Sequence, residues 1–298
     1  MYNLENEILS LTTQPRANQT TWLPALCKKE QEGRQKQVCM GVMTRWWRTR
    51  MLVRERERYD DADWAAAWAA LPLLGGLESG QATRLADLAL LFLRDKRLEP
   101  VGGLVLTNRM RLILALQACL PILELGLDWY RGWYAVILYP AEFVPGLEYV
   151  DQDGLVWVDD AVKSGEAWER GPVILSWSDV AAGGDLDGYN VVVHELAHKI
   201  DMREGGANGR PPLHAGMSGA AWSREFAAAF ADLRRRVDAG EAPSLDPYGA
   251  ESPGEFFAVV SEAFFEIPAP LHDQYPGVYA QLRAFYRQDP LARLGSPG

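Results

Sequence analysis

Cysteine is scarce in this sequence, and its scarcity excludes the small disulfide-stapled proteins. The three cysteines, Cys27, Cys39 and Cys119, form no CxxC pair and cannot build a disulfide framework. The first ten residues, MYNLENEILS, include two glutamates and lack the apolar stretch of a secretory signal. We therefore predict a cytoplasmic protein.

Long apolar runs and an excess of positive charge are also missing. The most apolar segment, LILALQACLPILELGL (112–127), contains Gln117, Pro121 and Glu124, and it is too short and too polar to span a bilayer. The 30 basic and 40 acidic residues give a formal net charge of −10. Contacts with phosphates need Lys and Arg, so direct nucleic-acid binding is disfavoured. We predict no membrane partner and no nucleic-acid partner.

The chain has two regions of different composition. Residues 1–58 are polar, carry eleven basic and six acidic side chains, and show no sustained period. We predict a poorly structured N-terminal extension there. We hypothesise that translation starts at Met43 or Met51, in which case the residues upstream of that position belong to a wrongly assigned start. The remainder is predicted to be one domain, with a helical lobe over about 59–130 and a catalytic part over about 131–298.

Periodicity predicts helices on both sides of a small sheet. Two short runs rich in β-branched and aromatic residues, 134–140 and 172–177, predict strands. Residues 59–298 are therefore predicted to be α+β and mainly helical, with a small mixed sheet before the helix that carries two histidines. Helices are predicted from apolar spacing over residues 62–74, 82–97, 109–120, 190–200, 222–237, 252–266 and 275–288.

The stretch YNVVVHELAHKID (189–201) contains two of the four histidines. On a helix, His194 and His198 project from one face one turn apart, where both can bind one metal ion. Glu195 lies beside them, where it could hold a metal-bound water, and Asp187 is the predicted N-cap. The valines also allow a strand, which would separate the histidines by about 13 Å. A buried helix that carries polar residues without a metal is the plain alternative.

A catalytic zinc site needs a third protein ligand and an open position for water. The segment ESPGEFFAVVSEAFF places Glu255 and Glu262 on one face of an apolar helix, where unpaired carboxylates are costly. One could bind the metal while the other orients a ligand or anchors the helix, and spacing does not choose between them. Glu255 could instead only close a capping box with Ser252.

Other candidate ligands are weaker. The longer metzincin continuation is absent, because Asp201 and Glu204 stand where that motif has glycine and histidine. We interpret Asp201 as a solvated helix end or a partner of an imidazole. His214 and His272 lie in loop-like contexts, and we interpret both as surface residues.

Together, these residues resemble the Mlc titration factor A family of zinc peptidases, peptidase family M90. The motifs that carry the resemblance are HELAHKID (194–201) and DPYGAESPGEFFAVVSEAFFE (246–266). Similar segments extend it over roughly 75–298, and it does not cover 1–58. The resemblance implies a zincin-like fold of the gluzincin type.

The resemblance also implies a role for each site residue. In this family the HExxH histidines bind zinc, here His194 and His198, and the glutamate between them, Glu195, is the catalytic base. The third ligand is the glutamate seven residues after a tyrosine, as in the similar site of anthrax lethal factor. This pattern selects Glu255, places Tyr248 near the metal, and implies one Zn²⁺ per chain. A simple turn residue is the plain alternative for Tyr248.

The implied function is that of a cytoplasmic zinc metallopeptidase, aminopeptidase in type, which hydrolyses peptide bonds with a zinc-bound water activated by Glu195. Tyr248 would donate a hydrogen bond to the tetrahedral oxyanion. The strand at 172–177 is expected to offer its edge to the peptide. The resemblance also implies binding to a DNA-binding transcriptional repressor of sugar uptake, Mlc-like. The alternative is a regulator-sequestering binding protein whose zinc site has little catalytic importance.

Overall fold

A small four-stranded sheet lies in the middle of the chain. The computed structural model describes residues 50–141, 147–150, 156–159, 165–167 and 171–295. The sheet has the order β1-β2-β6-β5, in which β1, β2 and β6 are parallel and β5 is antiparallel to β6. β3 and β4 pair antiparallel in a second, two-stranded sheet. The strands are β1 (Arg97–Pro100), β2 (Ala135–Tyr139), β3 (Leu147–Val150), β4 (Val156–Asp159), β5 (Gly165–Ala167) and β6 (Val173–Ser176).

Helices make up most of the described chain, which confirms the mainly helical α+β class with a small mixed sheet. The first predicted helix is divided: α1 ends at Ala69, and a separate 3₁₀-helix follows at Pro72–Leu74, because the residue before a proline avoids helical geometry. The helices are α1 (Asp61–Ala69), α2 (Ser79–Asp95), α3 (Asn108–Cys119), α4 (Trp177–Ala182), α5 (Val191–Asp201), α6 (Gly219–Asp238), α7 (Pro253–Glu266), α8 (Pro268–Gln274), α9 (Pro276–Tyr286) and α10 (Pro290–Leu294).

Strand β1 begins where the sequence predicted the end of a helix. The helix predicted over 82–97 stops before Lys96, which has extended geometry (φ −105°, ψ 128°). The Lys96 side chain is only 7 % exposed. Its Nζ donates to the carbonyls of Tyr130 (2.6 Å) and Trp133 (2.7 Å). These bonds draw the chain against the loop before β2, and pairing with β2 then overrides helix propensity.

Helix α5 is buried along its whole length, and it packs against α7, α3 and the sheet. Its apolar arc lies in the core as predicted. Each large side chain there stabilises the fold by roughly 1.5–3 kcal/mol. The polar residues on the other arc must find partners, since burial without them is costly. The arc consists of Val192, Val193, Leu196, Ala197 and Ile200, each at most 1 % exposed.

Contacts along the chain divide it into two units, 1–51 and 52–298. The extension predicted over 1–58 lies mostly outside the described residues, and its boundary stays a prediction. Within that range, residues 50–56 are helical. Among the described helices, none combines the length and the apolar character that crossing a membrane would require.

Candidate metal centre

The N-cap of helix α5 is Asn190 rather than the predicted Asp187. Asn190 has extended geometry, and its side chain accepts a hydrogen bond from the Val193 N–H at 3.0 Å, as an N-cap does. Asp187 accepts instead from the Tyr189 N–H at 2.9 Å. The prediction of Asp187 as N-cap is wrong, because Gly188 adopts a left-handed φ of 97° and delays the start of the helix.

His194, His198 and Glu255 converge between α5 and α7. The Nε2 atoms of the two histidines are 3.2 Å apart. Glu255 Oε2 lies 3.1 Å from His194 Nε2 and 3.3 Å from His198 Nε2. A tetrahedral zinc ion with bonds of about 2.0–2.1 Å separates its ligand atoms by roughly 3.3 Å. The three atoms are therefore spaced as ligands of a single ion, and these residues could hold a metal.

Glu262 contacts the opposite side of the His194 ring. Its Oε1 accepts from His194 Nδ1 at 2.6 Å, and its Oε2 accepts from the Asn190 N–H at 2.6 Å. The bond at Nδ1 turns Nε2 toward Glu255, as carboxylates do for metal-binding histidines. Geometry thus separates the two glutamates that spacing left equivalent. Glu255 contacts both imidazoles at their Nε2 atoms, and Glu262 orients one of them at Nδ1.

Ser252 caps α7 as predicted, without using the Glu255 carboxylate. Ser252 Oγ accepts from the Glu255 N–H at 3.1 Å, and Pro253 is the first helical residue. The side chain of Glu255 lies on the imidazoles, so the reciprocal half of the capping box is wrong. Although burial opposes it, hydrogen bonding to His194 and His198 lowers the pKa of Glu255 to about 2. The carboxylate is therefore anionic, as a metal ligand must be.

Glu195 lies beside the histidines and is only 5 % exposed. Burial raises the pKa of Glu195 to about 7, although His194 and His198 oppose this rise. Among the described residues, none bonds to its Oε2 atom. A buried carboxylate oxygen without a protein partner favours a bound water or substrate group. Glu195 is thus placed to exchange a proton with a molecule in the cavity.

Tyr248 lies in a 3₁₀-helix, Pro247–Ala250, whose N-cap is Asp246. The Tyr248 ring centroid is 5.9 Å from that of His194, and its side chain is 46 % exposed. Partial burial, with the nearby Glu255 charge, raises the pKa of Tyr248 and keeps its hydroxyl protonated. Tyr248 is a turn residue that also lies beside His194, and its part in catalysis stays a prediction.

The remaining candidate ligands do not join the group of converging side chains. His214 Nε2 donates to the Phe285 carbonyl at 2.8 Å, and His272 is exposed. Among the described residues, neither belongs to a group that could hold a metal. Asp201 is 2 % exposed, and its Oδ2 accepts from the Gly209 N–H at 2.7 Å. The solvated-end interpretation of Asp201 is wrong, because its carboxylate anchors the loop after α5.

Strand β5, rather than the strand at 172–177, forms the sheet edge beside the cluster. β6 pairs with β2 on one side and β5 on the other, so the predicted edge is wrong. Within the described chain, β5 is the last strand of the sheet. Its Gly165 lies against Glu195: a Cβ at this position would be 2.6 Å from Glu195 Oε1. Sequence reasoning missed Gly165, because Gly-Glu-Ala has no strand pattern of its own.

One cavity of about 450 Å³ connects these features. Its size is that of a small-molecule or peptide subsite. The cavity is lined by the three converging side chains and also by Gly165, Ala167, Tyr189, Glu195, Tyr248 and Glu262.

Two histidines on one helix, a carboxylate from a second helix and a buried glutamate between the histidines form the arrangement of HExxH metallopeptidases. The family of glucose-regulated metallo-peptidases M90 matches residues 43–287, and the chain belongs to this family. The predicted family is therefore confirmed. The match also includes 43–58, which the resemblance had left outside.

Relatives named Mlc titration factor A are similar over most of the chain. One from Yersinia enterocolitica (serotype O:8 / biotype 1B) is 43 % identical over 239 residues, which cover 78 % of this chain and 89 % of the relative. Another from Yersinia pestis (strain Pestoides F) is 43 % identical over 227 residues, which cover 75 % of this chain and 84 % of the relative.

Proposed function

We propose that this protein is a cytoplasmic zinc-dependent metallopeptidase of the aminopeptidase type. The observation that carries the proposal is the triangle of His194, His198 and Glu255, whose ligand atoms are 3.1–3.3 Å apart. Three protein ligands leave one position of a tetrahedral ion for water, whereas structural zinc sites usually close with four. Membership of the M90 family supports the same class of reaction.

Zinc, when bound, would lower the pKa of a water molecule and polarise the scissile carbonyl. Glu195 would accept the proton of the attacking water and return it to the leaving amine. Its unpartnered Oε2 and its raised pKa suit an exchange of protons near neutral pH. The Tyr248 hydroxyl would donate to the oxygen that becomes negative in the tetrahedral intermediate.

The peptide would lie along β5. An edge strand offers main-chain donors and acceptors to an extended peptide. Gly165 and Ala167 of β5 line the cavity that holds the cluster, so a peptide paired with this edge would pass the histidines. Small side chains at both positions leave room for that approach.

The test is zinc content and peptide hydrolysis in matched variants. We expect about one zinc per parent chain by elemental mass spectrometry, loss of zinc in Glu255→Ala, and retained zinc in Glu195→Gln. Glu195→Gln should lower turnover by several orders of magnitude, because the proton acceptor is removed. Glu204→Gln, which alters an exposed carboxylate just after α5, is the control and should match the parent. Unchanged turnover in Glu195→Gln would refute the proposed mechanism.

A second candidate is a protein that sequesters an Mlc-like DNA-binding repressor and uses its zinc site little. The name of the relatives, Mlc titration factor A, favours it. A purified repressor of this type would be mixed with the parent and with Glu195→Gln, and complex formation would be followed by calorimetry. Equal binding to both would support sequestration independent of catalysis. Absence of any complex would remove this candidate.

A further inference from the structure

A second cavity, of about 330 Å³, adjoins the cavity that contains His194, His198 and Glu255. It shares Tyr189, Asp246 and Val259 with the first cavity. Val259 lies one helical turn after Glu255 on α7, a rise of about 6 Å. Fewer than two residues of extended chain cover that distance. Because Val259 lines both cavities, a peptide that binds beside Glu255 reaches the second cavity within about two residues.

The second cavity combines an apolar floor with an acidic mouth. Leu245, Ala263 and Ile267 form the floor, and the first two are buried. Asp187 and Asp246 stand at the mouth, and both are exposed. Among the described residues that line the two cavities, none is Lys or Arg. A ligand that carries an apolar side chain next to a cationic group would complement this cavity.

Asp246 lines both cavities. Its Oδ1 accepts from the Tyr248 N–H at 2.9 Å, which fixes the carboxylate at the start of the 3₁₀-helix. The same turn brings Tyr248 to the cluster. A cationic group bound at Asp246 would consequently lie at a set distance from the metal ligands.

We propose that the second cavity binds the N-terminal residue of a peptide, with its side chain on the floor and its α-ammonium at Asp246. This inference rests on the proposed peptidase function. It adds the residues that would hold such a substrate: Asp246 for the ammonium and the floor for an apolar first side chain. The ammonium would bind as a charge-assisted hydrogen-bond donor, which is worth about a tenfold change in affinity.

The test uses L-leucine hydroxamate and its N-acetylated form as zinc-binding probes. Binding to the zinc-loaded full chain would be measured by calorimetry. We expect the free amine to bind about tenfold more tightly than the acetylated form. Asp246→Asn should abolish this preference, because asparagine still caps the turn but carries no charge. Glu251→Gln, which changes an exposed carboxylate that lines neither cavity, is the matched control and should keep it.

The floor is tested by a substitution that fills it. Ala263→Val should reduce the preference for leucine hydroxamate over glycine hydroxamate. If that variant does not fold, Ser244→Leu narrows the cavity from its exposed mouth and should act in the same direction. A preference for the free amine that persists in Asp246→Asn would overturn the proposal and leave the aminopeptidase type intact. Equal binding of the free and acetylated probes to the parent would overturn both. These probes need bound zinc but no turnover, so absence of hydrolysis would refute the peptidase function separately.

Discussion

Replacement of Gly165 with alanine tests whether β5 sets the position of Glu195. The added Cβ would lie 2.6 Å from Glu195 Oε1, 2.7 Å from Glu195 Cγ and 2.8 Å from Val191 Cγ2. Ordinary contacts begin near 3.4 Å, so a shift of roughly 0.7 Å is required. The end of the Glu195 side chain moves more easily than a paired strand or the buried Val191. We therefore expect the carboxylate to be displaced.

The expected loss of kcat follows from how little displacement a catalytic group tolerates. Productive geometry is held within about 0.5 Å, and an error of about 1 Å can cost roughly a hundredfold in rate. We expect Gly165→Ala to lower kcat by about 10- to 100-fold. Zinc content should change little, because the three nearest atoms to the new methyl group belong to Glu195 and Val191 and not to the converging ligands. Tm should fall by several degrees, because overpacking against buried side chains costs about 1–3 kcal/mol.

The assay is steady-state hydrolysis of a peptide anilide, with zinc content and thermal unfolding measured on the same samples. Gly80→Ala is the matched control. Gly80 lies in the first turn of α2, and a Cβ there meets nothing within 4 Å. This control should keep the parent kcat and gain slightly in stability. Parent-like kcat in Gly165→Ala would refute the reasoning, and loss of zinc together with activity would show damage to the site as a whole.

Three further predictions concern the neighbours of the cluster. Glu262→Gln should weaken zinc binding by about 10- to 100-fold in a chelator competition, since His194 loses its charged partner; parent affinity would contradict this. Tyr248→Phe should lower kcat by about a hundredfold at unchanged zinc content, and an unaltered kcat would remove Tyr248 from the mechanism. Asn190→Ala should reduce the free energy of unfolding in urea by about 2–4 kcal/mol, because it removes the cap and takes the Nδ2 donor from buried Gln117 and Glu266; an unchanged midpoint would show that these bonds are dispensable.

Local sequence patterns predicted the elements whose own side chains determine them. In α5, the spacing of the histidines and the run of valines both indicate one buried face, and no distant partner is needed for that conclusion. The sheet was harder to predict. β1 depends on the burial of Lys96 against carbonyls more than thirty residues away, and β5 has only three residues. Its existence follows from pairing with β6, which local propensity does not report.

The site could be predicted only where one motif contains the whole pattern. His194, Glu195 and His198 are such a case. The choice between Glu255 and Glu262 depended on the resemblance, because both lie on the same face of α7. The structure supplies the physical reason, since the two carboxylates contact opposite nitrogens of one imidazole. The bond from the Asn190 N–H to Glu262 spans 72 residues, and no local pattern reveals it.

The contact between α5 and α7 joins residues that are 61 positions apart, His194 and Glu255. An ion shared by these two residues would act as a cross-link that closes the intervening chain, α6 included, into a loop. Binding to the folded form alone would then raise the free energy of unfolding in proportion to the logarithm of the free zinc concentration. We expect zinc supply to govern the resistance of this protein to proteolysis, and so its abundance in the cell, as well as its rate of turnover.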